Sequence, residues 1–462
     1  MTMRLGWLDK GTIALLAFAL AVTAYLCFAG ALFNDGDTSW HLAAGRLILA
    51  TGAVPQGDPF SFTFAGHAWT AHEWLAEVVM AGVYRLAAWG GLAVLFAGAV
   101  GALILLLGGA LRRWLPMRRV VIALTLVVAM LAPFILARPH VLAWPLLAGW
   151  TILLLRAREE MRPPPILAAL LMVVWANLHA SFIVGLGLVG VFALEALIDE
   201  PDKRRVVLGW GVFGVTALAA SLLTPHLGQG LLYPLQVSGM KALPLIQEWR
   251  RTDPAQDWLF LAVVAGTVLL VAVRRPRLAV VRWLLLAAIL YLAFAHVRHQ
   301  PLVAILGVLL LARPLGSAAP PHSARASLLG FALGLLLIAA IRVPLALPRQ
   351  DSESNPVTAI AQLPAELRAR PLLNSYGFGG PLILAGIRPY IDGRGDMYGD
   401  AFLFEHQRIV DGDAAAFARA VRRWGIGWTM LSPDAPLVAA LDRAPAWQRI
   451  YADRWAVVHV RR

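Results

Sequence analysis

The sequence predicts a mainly α-helical, polytopic transmembrane bundle of about eleven spans, followed by a small C-terminal α/β domain outside the membrane. Three observations carry this expectation. Hydrophobic residues make up 59% of the 462 and charged residues 15%, with a mean hydropathy of +0.69. That balance leaves too little polar surface to cover a globule in water, so the solvent for most of the chain is lipid. Apolar runs recur through residues 1–345, and beyond them the composition shifts to short apolar and charged stretches punctuated by glycine and proline, which sets off 346–462 as a second domain.

The first run, 11–33, exceeds the ~7–15-residue core of a signal peptide and matches the ~20 residues that span a bilayer. A retained signal anchor is the expectation. Cys27 lies inside it after bulky Leu26, which does not fit a lipoprotein anchor. As the only cysteine it excludes an internal disulfide and a cysteine metal cluster, and reads as a buried, inert thiol.

The loop 34–89 carries structure of its own. Residues 37–50 read as an amphipathic helix, 52–66 with Pro55 and Pro59 as an ordered turn-rich stretch, and 73–89 as a second surface helix. Further apolar runs follow at 90–111, 120–137, 141–155, 166–175, 182–198, 206–223, 258–273, 278–295, 302–311 and 328–345. The fifth and tenth runs are short and are expected to be broken, tilted or hairpin segments lining a cavity.

In the outer domain, 351–370 is rich in helix formers, 371–374, 382–384 and 389–391 are strand candidates, and 413–424 reads as a helix. A strand at 428–431, a helix at 436–443 and a closing strand pair at 448–451 and 456–460 complete it.

The net charge of +13 does not sit on one face or in one tail. Basic residues recur between apolar runs: Arg112-Arg113, Arg118-Arg119, Arg156, Arg158, Lys203-Arg204-Arg205, Arg274-Arg275 and Arg277. Nucleic-acid binding, which expects a basic stripe with interleaved aromatics, is not predicted. With 1–10 in the cytoplasm, every one of these clusters and the loop 313–325 falls on the cytoplasmic side. The same alternation places eight of the eleven histidines outside: His41, His67, His72, His140, His179, His226, His296 and His299. A convergent polar surface at one face is what a site needs.

The candidate site residues lie there. Asp35 and Asp37 leave the first span, and Asp37 and His41, four apart, share a helical face. An acid beside an imidazole can serve as a general base, a metal site or a phosphate clamp; helix capping is the structural alternative. His72 and Glu73 open the second surface helix without the second histidine of a zinc protease. Arg138 and His140, and Arg298 and His299, stand at outer span ends, where they can snorkel to headgroups or bind a lipid-linked phosphate. Asn177, His179 and Ser181 break an apolar stretch as a hairpin turn or as donors to sugar hydroxyls. Glu248 beside Trp249 pairs a carboxylate with an apolar ring face. Asp392, Arg394 and Asp396 read as a structured turn.

With these residues in place, the chain resembles the integral membrane glycosyltransferases of the GT-C superfamily, which include protein O-mannosyltransferases and oligosaccharyltransferase catalytic subunits. Asp35-Gly36-Asp37 with His41 looks like their acidic first-loop motif, and His72-Glu73 falls at their second polar motif. The strings DGDTSWHLAAG, DPFSFT and HEWL, and the later Tyr390-Ile391-Asp392-Gly393-Arg394 after Gly379-Gly380, look like an uncharacterised bacterial branch. The resemblance implies a polyprenyl-phosphate-linked sugar donor, inversion at the anomeric carbon, Asp37 as base with Asp35 beside it, and Arg298 at the donor phosphate. The acidic motif departs from the Asp-Glu pair of the mannosyltransferases. No cofactor is required by this scheme, although Asp35, Asp37 and Glu73 could take a magnesium or manganese ion. The expected setting is a bacterial inner membrane, with the N-terminus cytoplasmic and the outer domain facing away from the cytoplasm. Two other readings stand beside it. One is a flippase or transporter of a lipid-linked precursor, which needs mid-membrane ionisable groups and an inverted repeat. The other is a non-catalytic envelope assembly protein.

Overall fold

The computed structural model describes residues 9–317 and 324–462. Arg4 of the basic N-terminal segment and the middle of the 313–325 loop lie outside the described residues. Among those described, each of the eleven apolar runs is helical over most of its length, because a helix satisfies every backbone group within one segment. Helix α1 (Lys10–Phe28) is opened by Asp9, whose carboxylate accepts the Thr12 N–H at 2.8 Å. Helix α2 (Asp37–Thr51) is the first surface helix.

Helix α3 (Trp74–Leu111) joins the second surface helix to the second apolar run, 38 residues in all. It breaks at Ala87 and Ala88, the latter with φ of 46°. A residue with a Cβ seldom adopts that angle, and here it turns the surface segment into the buried one. The buried half is the hub of the bundle, packed by α1, α5 (Pro139–Glu159) and α13 (Ala324–Arg342). Close approach depends on glycine: a Cβ on Gly101 would come 2.3 Å from the Thr23 hydroxyl, and one on Gly108 2.3 Å from Leu15.

Helices α4 (Met117–Leu131), α6 (Leu170–Leu178), α7 (Phe182–Asp199), α8 (Lys203–Ser221), α9 (Gly228–Ser238), α10 (Trp258–Arg274), α11 (Val280–Ala295) and α12 (Gln300–Leu315) complete the bundle. Among the described residues five stretches are long and apolar enough to cross a membrane: α1, α3, α4 with its following turn, α5 and α7. Shorter apolar helices occupy Ile166–Leu178, α10, α11 and Ser327–Arg342. Outward side chains such as Leu167, Val273, Val280, Leu284, Tyr291 and Leu336 are exposed, as lipid-facing surfaces require. The protein is a multi-pass helical membrane protein. Arg158 and Arg282, from α5 and α11, both close on the buried Glu195 of α7, with Arg282 bidentate at 2.7 Å. This ties three helices together at the end of α5 remote from Arg138.

The C-terminal domain holds α14 (Val357–Ala361), α15 (Ala365–Arg368), α16 (Gly379–Leu384), α17 (Gly395–Val410), α18 (Ala414–Trp424) and α19 (Pro436–Arg443) around one four-stranded sheet. Strands β1 (Leu372–Asn374), β2 (Trp428–Leu431), β3 (Trp447–Ala452) and β4 (Val457–Arg461) lie in the order β1-β2-β4-β3. The pair β1–β2 is parallel and the others are antiparallel.

Two strand expectations fail. Residues 382–384 belong to helix α16, and 389–391 lie outside the named strands. The reason is tertiary. Gly379 and Gly380 let α16 lie on the chain at Gly36, where a Cβ on Gly380 would meet the Gly36 carbonyl at 2.1 Å. The expected turn at 392–396 runs on into the unanticipated helix α17.

The domain is fastened to the first loop. Thr63 donates to the Tyr390 carbonyl at 2.6 Å, Arg388 donates to the Ser61 carbonyl at 2.9 Å, and Arg394 forms ion pairs with Asp58 and Asp392 at 2.8 and 2.6 Å. Buried ionic groups need partners of this kind to persist.

Candidate active site

The chain leaves η-turn Gly30–Phe33 through Asn34 and enters α2 at Asp37. Asp35 Oδ1 accepts the Asp37 backbone N–H at 2.7 Å, satisfying a donor at the helix start. Asp35 therefore does the capping work, and the Asp37 carboxylate is free to point elsewhere. It meets Arg138, the residue before α5, with Oδ2 at 2.8 Å from Nη2. The same guanidinium lies 3.2 Å from Asp35 and 3.3 Å from Glu248. The first-loop acids, the arginine and Glu248 thus form one cluster.

A second cluster adjoins it. Glu73 sits before α3 with three imidazoles around its carboxylate: His41 at 3.6 Å, His72 at 3.7 Å and His179 at 3.4 Å. The other ring nitrogen of His41 pairs with Glu77 at 3.3 Å. Asn177 accepts the Trp74 indole N–H at 2.7 Å, and Ser181 bonds His179 Nδ1 at 2.8 Å. The polar break 177–181 thus orients His179 rather than merely turning the chain.

Burial dominates the electrostatics. It pushes the Asp37 carboxyl up to about 7, with Arg138 opposing and Asp35 and Glu248 adding repulsion. Glu73 is raised to about 8, again by burial. Glu248 is only partly buried, and although desolvation raises its pKa, Arg138 and Arg298 draw it down to about 2. His41, His72 and His179 are all lowered, first by burial. At neutral pH Asp37 is about half ionised, Glu248 is a carboxylate, Glu73 is mostly protonated and the three imidazoles are neutral.

The remaining predicted residues fall at the rim. Arg298 lies over the Trp249 ring at 4.2 Å, and its charge reaches Glu73, Glu248 and His179. His140 donates to the Phe134 carbonyl at 2.8 Å, with its ring 6.2 Å from His179. His299 engages the Leu292 carbonyl at 3.2 Å and the edge of Trp249.

Four groups escaped the sequence reading. Glu77 follows Glu73 by one helical turn, a spacing that could have exposed it. Tyr233 sets its ring tilted against His72, with centroids 4.2 Å apart, and feels the charge of Asp396. Tyr376 donates to the Gly393 carbonyl at 3.0 Å, beside Asp37. Asp396 and Tyr376 come from the outer domain, so that domain forms a wall of the site.

The three acids named for a metal ion are parted: Asp35 and Asp37 face Arg138, whereas Glu73 faces the histidines. Among the described residues no group of three or more His, Cys, Asp or Glu is set to hold a metal ion. The three do not fit a shared ion in this arrangement.

No family model and no curated protein matches the sequence. Solved structures do. The archaeal oligosaccharyltransferase AglB from Archaeoglobus fulgidus, in complex with an inhibitory peptide and a dolichol-phosphate, aligns over 92% of this chain and 69% of its own, at 11% identity and a TM-score of 0.54. The apo form of the Archaeoglobus fulgidus oligosaccharyltransferase aligns over 92% and 70%, at 11% identity and a TM-score of 0.59. The chain shares the fold of these oligosaccharyltransferases. ArnT from Cupriavidus metallidurans bound to undecaprenyl phosphate also aligns, over 98% of each chain at 15% identity and a TM-score of 0.44. In this fold both polar clusters are assembled from the starts of α2, α3 and α5 and from the loops that follow α6 and α9, with the loop after α11 at the rim.

Proposed function

We propose that this protein is an inverting membrane glycosyltransferase that moves a sugar from a polyprenyl-phosphate donor to an acceptor hydroxyl or amide on the extracytoplasmic face. The observation that carries the reading is Asp37. It is a carboxyl raised to about 7, held by Arg138 at 2.8 Å, at the mouth of a GT-C fold. A base poised near the working pH combines proton affinity with a sizeable ionised fraction. The dolichol-phosphate held by the archaeal enzyme supports a lipid-linked donor here.

In the proposed step the acceptor oxygen or nitrogen attacks the anomeric carbon and its proton passes to Asp37. The bond between that carbon and the phosphate oxygen breaks, and the electron pair leaves with the polyprenyl phosphate. Arg298, already positive toward the site, meets the phosphate as its charge grows. A single displacement inverts the anomeric centre, and the donor's own activation supplies the driving force. The neutral imidazoles of His41, His72 and His179 offer both donors and acceptors to sugar hydroxyls. In this reading the N-terminus is cytoplasmic and the outer domain lies beyond an inner membrane, an orientation that the basic loops support.

The test is transfer by purified protein in liposomes supplied with polyprenyl-phosphate sugars, comparing wild type with Arg298→Ala. A donor KM raised at least tenfold in the variant is expected. An unchanged KM removes Arg298 from the phosphate.

A further inference from the structure

We propose that Arg138 is the resident cation of this site, its guanidinium occupying the place between Asp35, Asp37 and Glu248 where a divalent metal ion would otherwise sit. The use of that charge in sugar transfer rests on the function proposed above, but its occupancy of the place does not.

Three carboxylates from two separate chain segments converge here, and such a group demands positive charge. Hard divalent ions answer the demand by collecting oxygens at about 2.0–2.6 Å. In this site Arg138 answers it instead, with Asp37 at 2.8 Å, Asp35 at 3.2 Å and Glu248 at 3.3 Å. A guanidinium suits the task because it stays charged at any working pH and presents five donors in a rigid plane.

The remaining oxygens of the acid pair are not open to an ion. Asp35 Oδ1 already accepts the Asp37 N–H at 2.7 Å. Asp37 Oδ1 lies 1.9 Å from the position a Cβ would take on Gly393, so the outer-domain backbone crowds that side against the six or more oxygens a hard ion would collect. Arg138 is also pinned. It stands directly before Pro139 at the start of α5, and the Ala137 N–H preceding it donates to the Leu32 carbonyl at 2.8 Å. The guanidinium is only 19% exposed.

A permanent organic cation changes what the enzyme depends on. Its charge cannot be chelated, lost or exchanged, and it fixes the orientation of Asp37 through a directed bond rather than a spherical field. Arg138 is thus a positioning residue acting through Asp37, and transfer proceeds in the presence of a chelator.

The experiment measures Mn²⁺ binding to the detergent-purified full chain by electron paramagnetic resonance, following loss of the free-ion signal. Wild type and Arg138→Lys are expected to leave the free-ion signal unchanged at about 100 µM Mn²⁺, above the roughly 10⁻⁷–10⁻⁵ M at which oxygen-ligand sensor sites take up Ca²⁺. Arg138→Ala leaves three carboxylates without their counter-charge and is expected to gain one bound Mn²⁺, which Asp35→Asn in the same background abolishes. Mn²⁺ bound by wild type and lost in Asp35→Asn overturns the proposal, as does failure of folded Arg138→Ala to gain an ion. Should Arg138→Ala not fold, the wild-type and Arg138→Lys titrations decide alone. Absence of sugar transfer sinks the proposed function and leaves these binding results standing, so the two failures are distinguishable.

Discussion

Asp37 and Glu73 are both largely desolvated carboxyls of one site, yet their surroundings give them opposite tasks. Asp37 is raised to about 7 beside a fixed positive charge, so its ionised fraction grows as pH rises through that value. A base must be ionised, and the transfer rate at saturating donor is therefore expected to climb between about pH 6 and 8. A flat profile over that interval would separate Asp37 from the proton. Glu73, raised to about 8, is mostly protonated at pH 7. Glu73→Gln imitates that neutral state and is expected to keep transfer within about threefold of wild type at pH 7, because a neutral amide preserves donor and acceptor contacts with the imidazoles. A hundredfold loss would show that Glu73 works as an anion. The i,i+4 spacing of Asp37 and His41 was readable in the chain, as was the run of outer histidines. Glu77 was hidden by its position in an otherwise apolar helix, and Asp396 by a three-residue turn whose partners lie in a distant loop.

At the scale of elements, glycine controls how closely the two surface helices approach. A Cβ on Gly45 of α2 would lie 1.9 Å from the Glu77 carbonyl of α3. Gly45→Ala is expected to destabilise the protein by ~1–3 kcal/mol, the usual cost of overpacking, and to lower transfer by separating His41 from Glu77. Thermal unfolding in detergent measures the first effect. An unchanged midpoint would mean that the helices part without strain. Arg394 is the second element-level joint, only 1% exposed and paired with Asp58 of the first loop and Asp392 of the outer domain. Arg394→Met leaves two buried carboxylates unpaired and is expected to cost ~3–5 kcal/mol. Limited proteolysis should then cut the 52–66 stretch faster, and an unaltered pattern would refute the coupling. Helices were legible because lipid allows few alternatives and the apolar runs are long. The short segments of the outer domain were not: 382–384 is apolar enough for a strand, and only the docking of Gly380 on Gly36 decides for a helix.

For the whole molecule, the two buried charge systems lie at opposite ends of the bundle. Arg158, Glu195 and Arg282 brace the side carrying the basic loops, while Arg138 and its acids gather under the outer domain. A reporter fused after Arg462 is expected to be active only when extracytoplasmic; activity confined to the cytoplasm would reverse the sidedness of the site. The most direct measurement is sugar transfer from a polyprenyl-phosphate donor by purified wild type and Asp37→Asn, with both shown to be folded. Wild type is expected to transfer, and Asp37→Asn to lose at least a hundredfold in rate while still binding donor, within the range that general-base catalysis contributes. Transfer by Asp37→Asn at the wild-type rate would contradict the account.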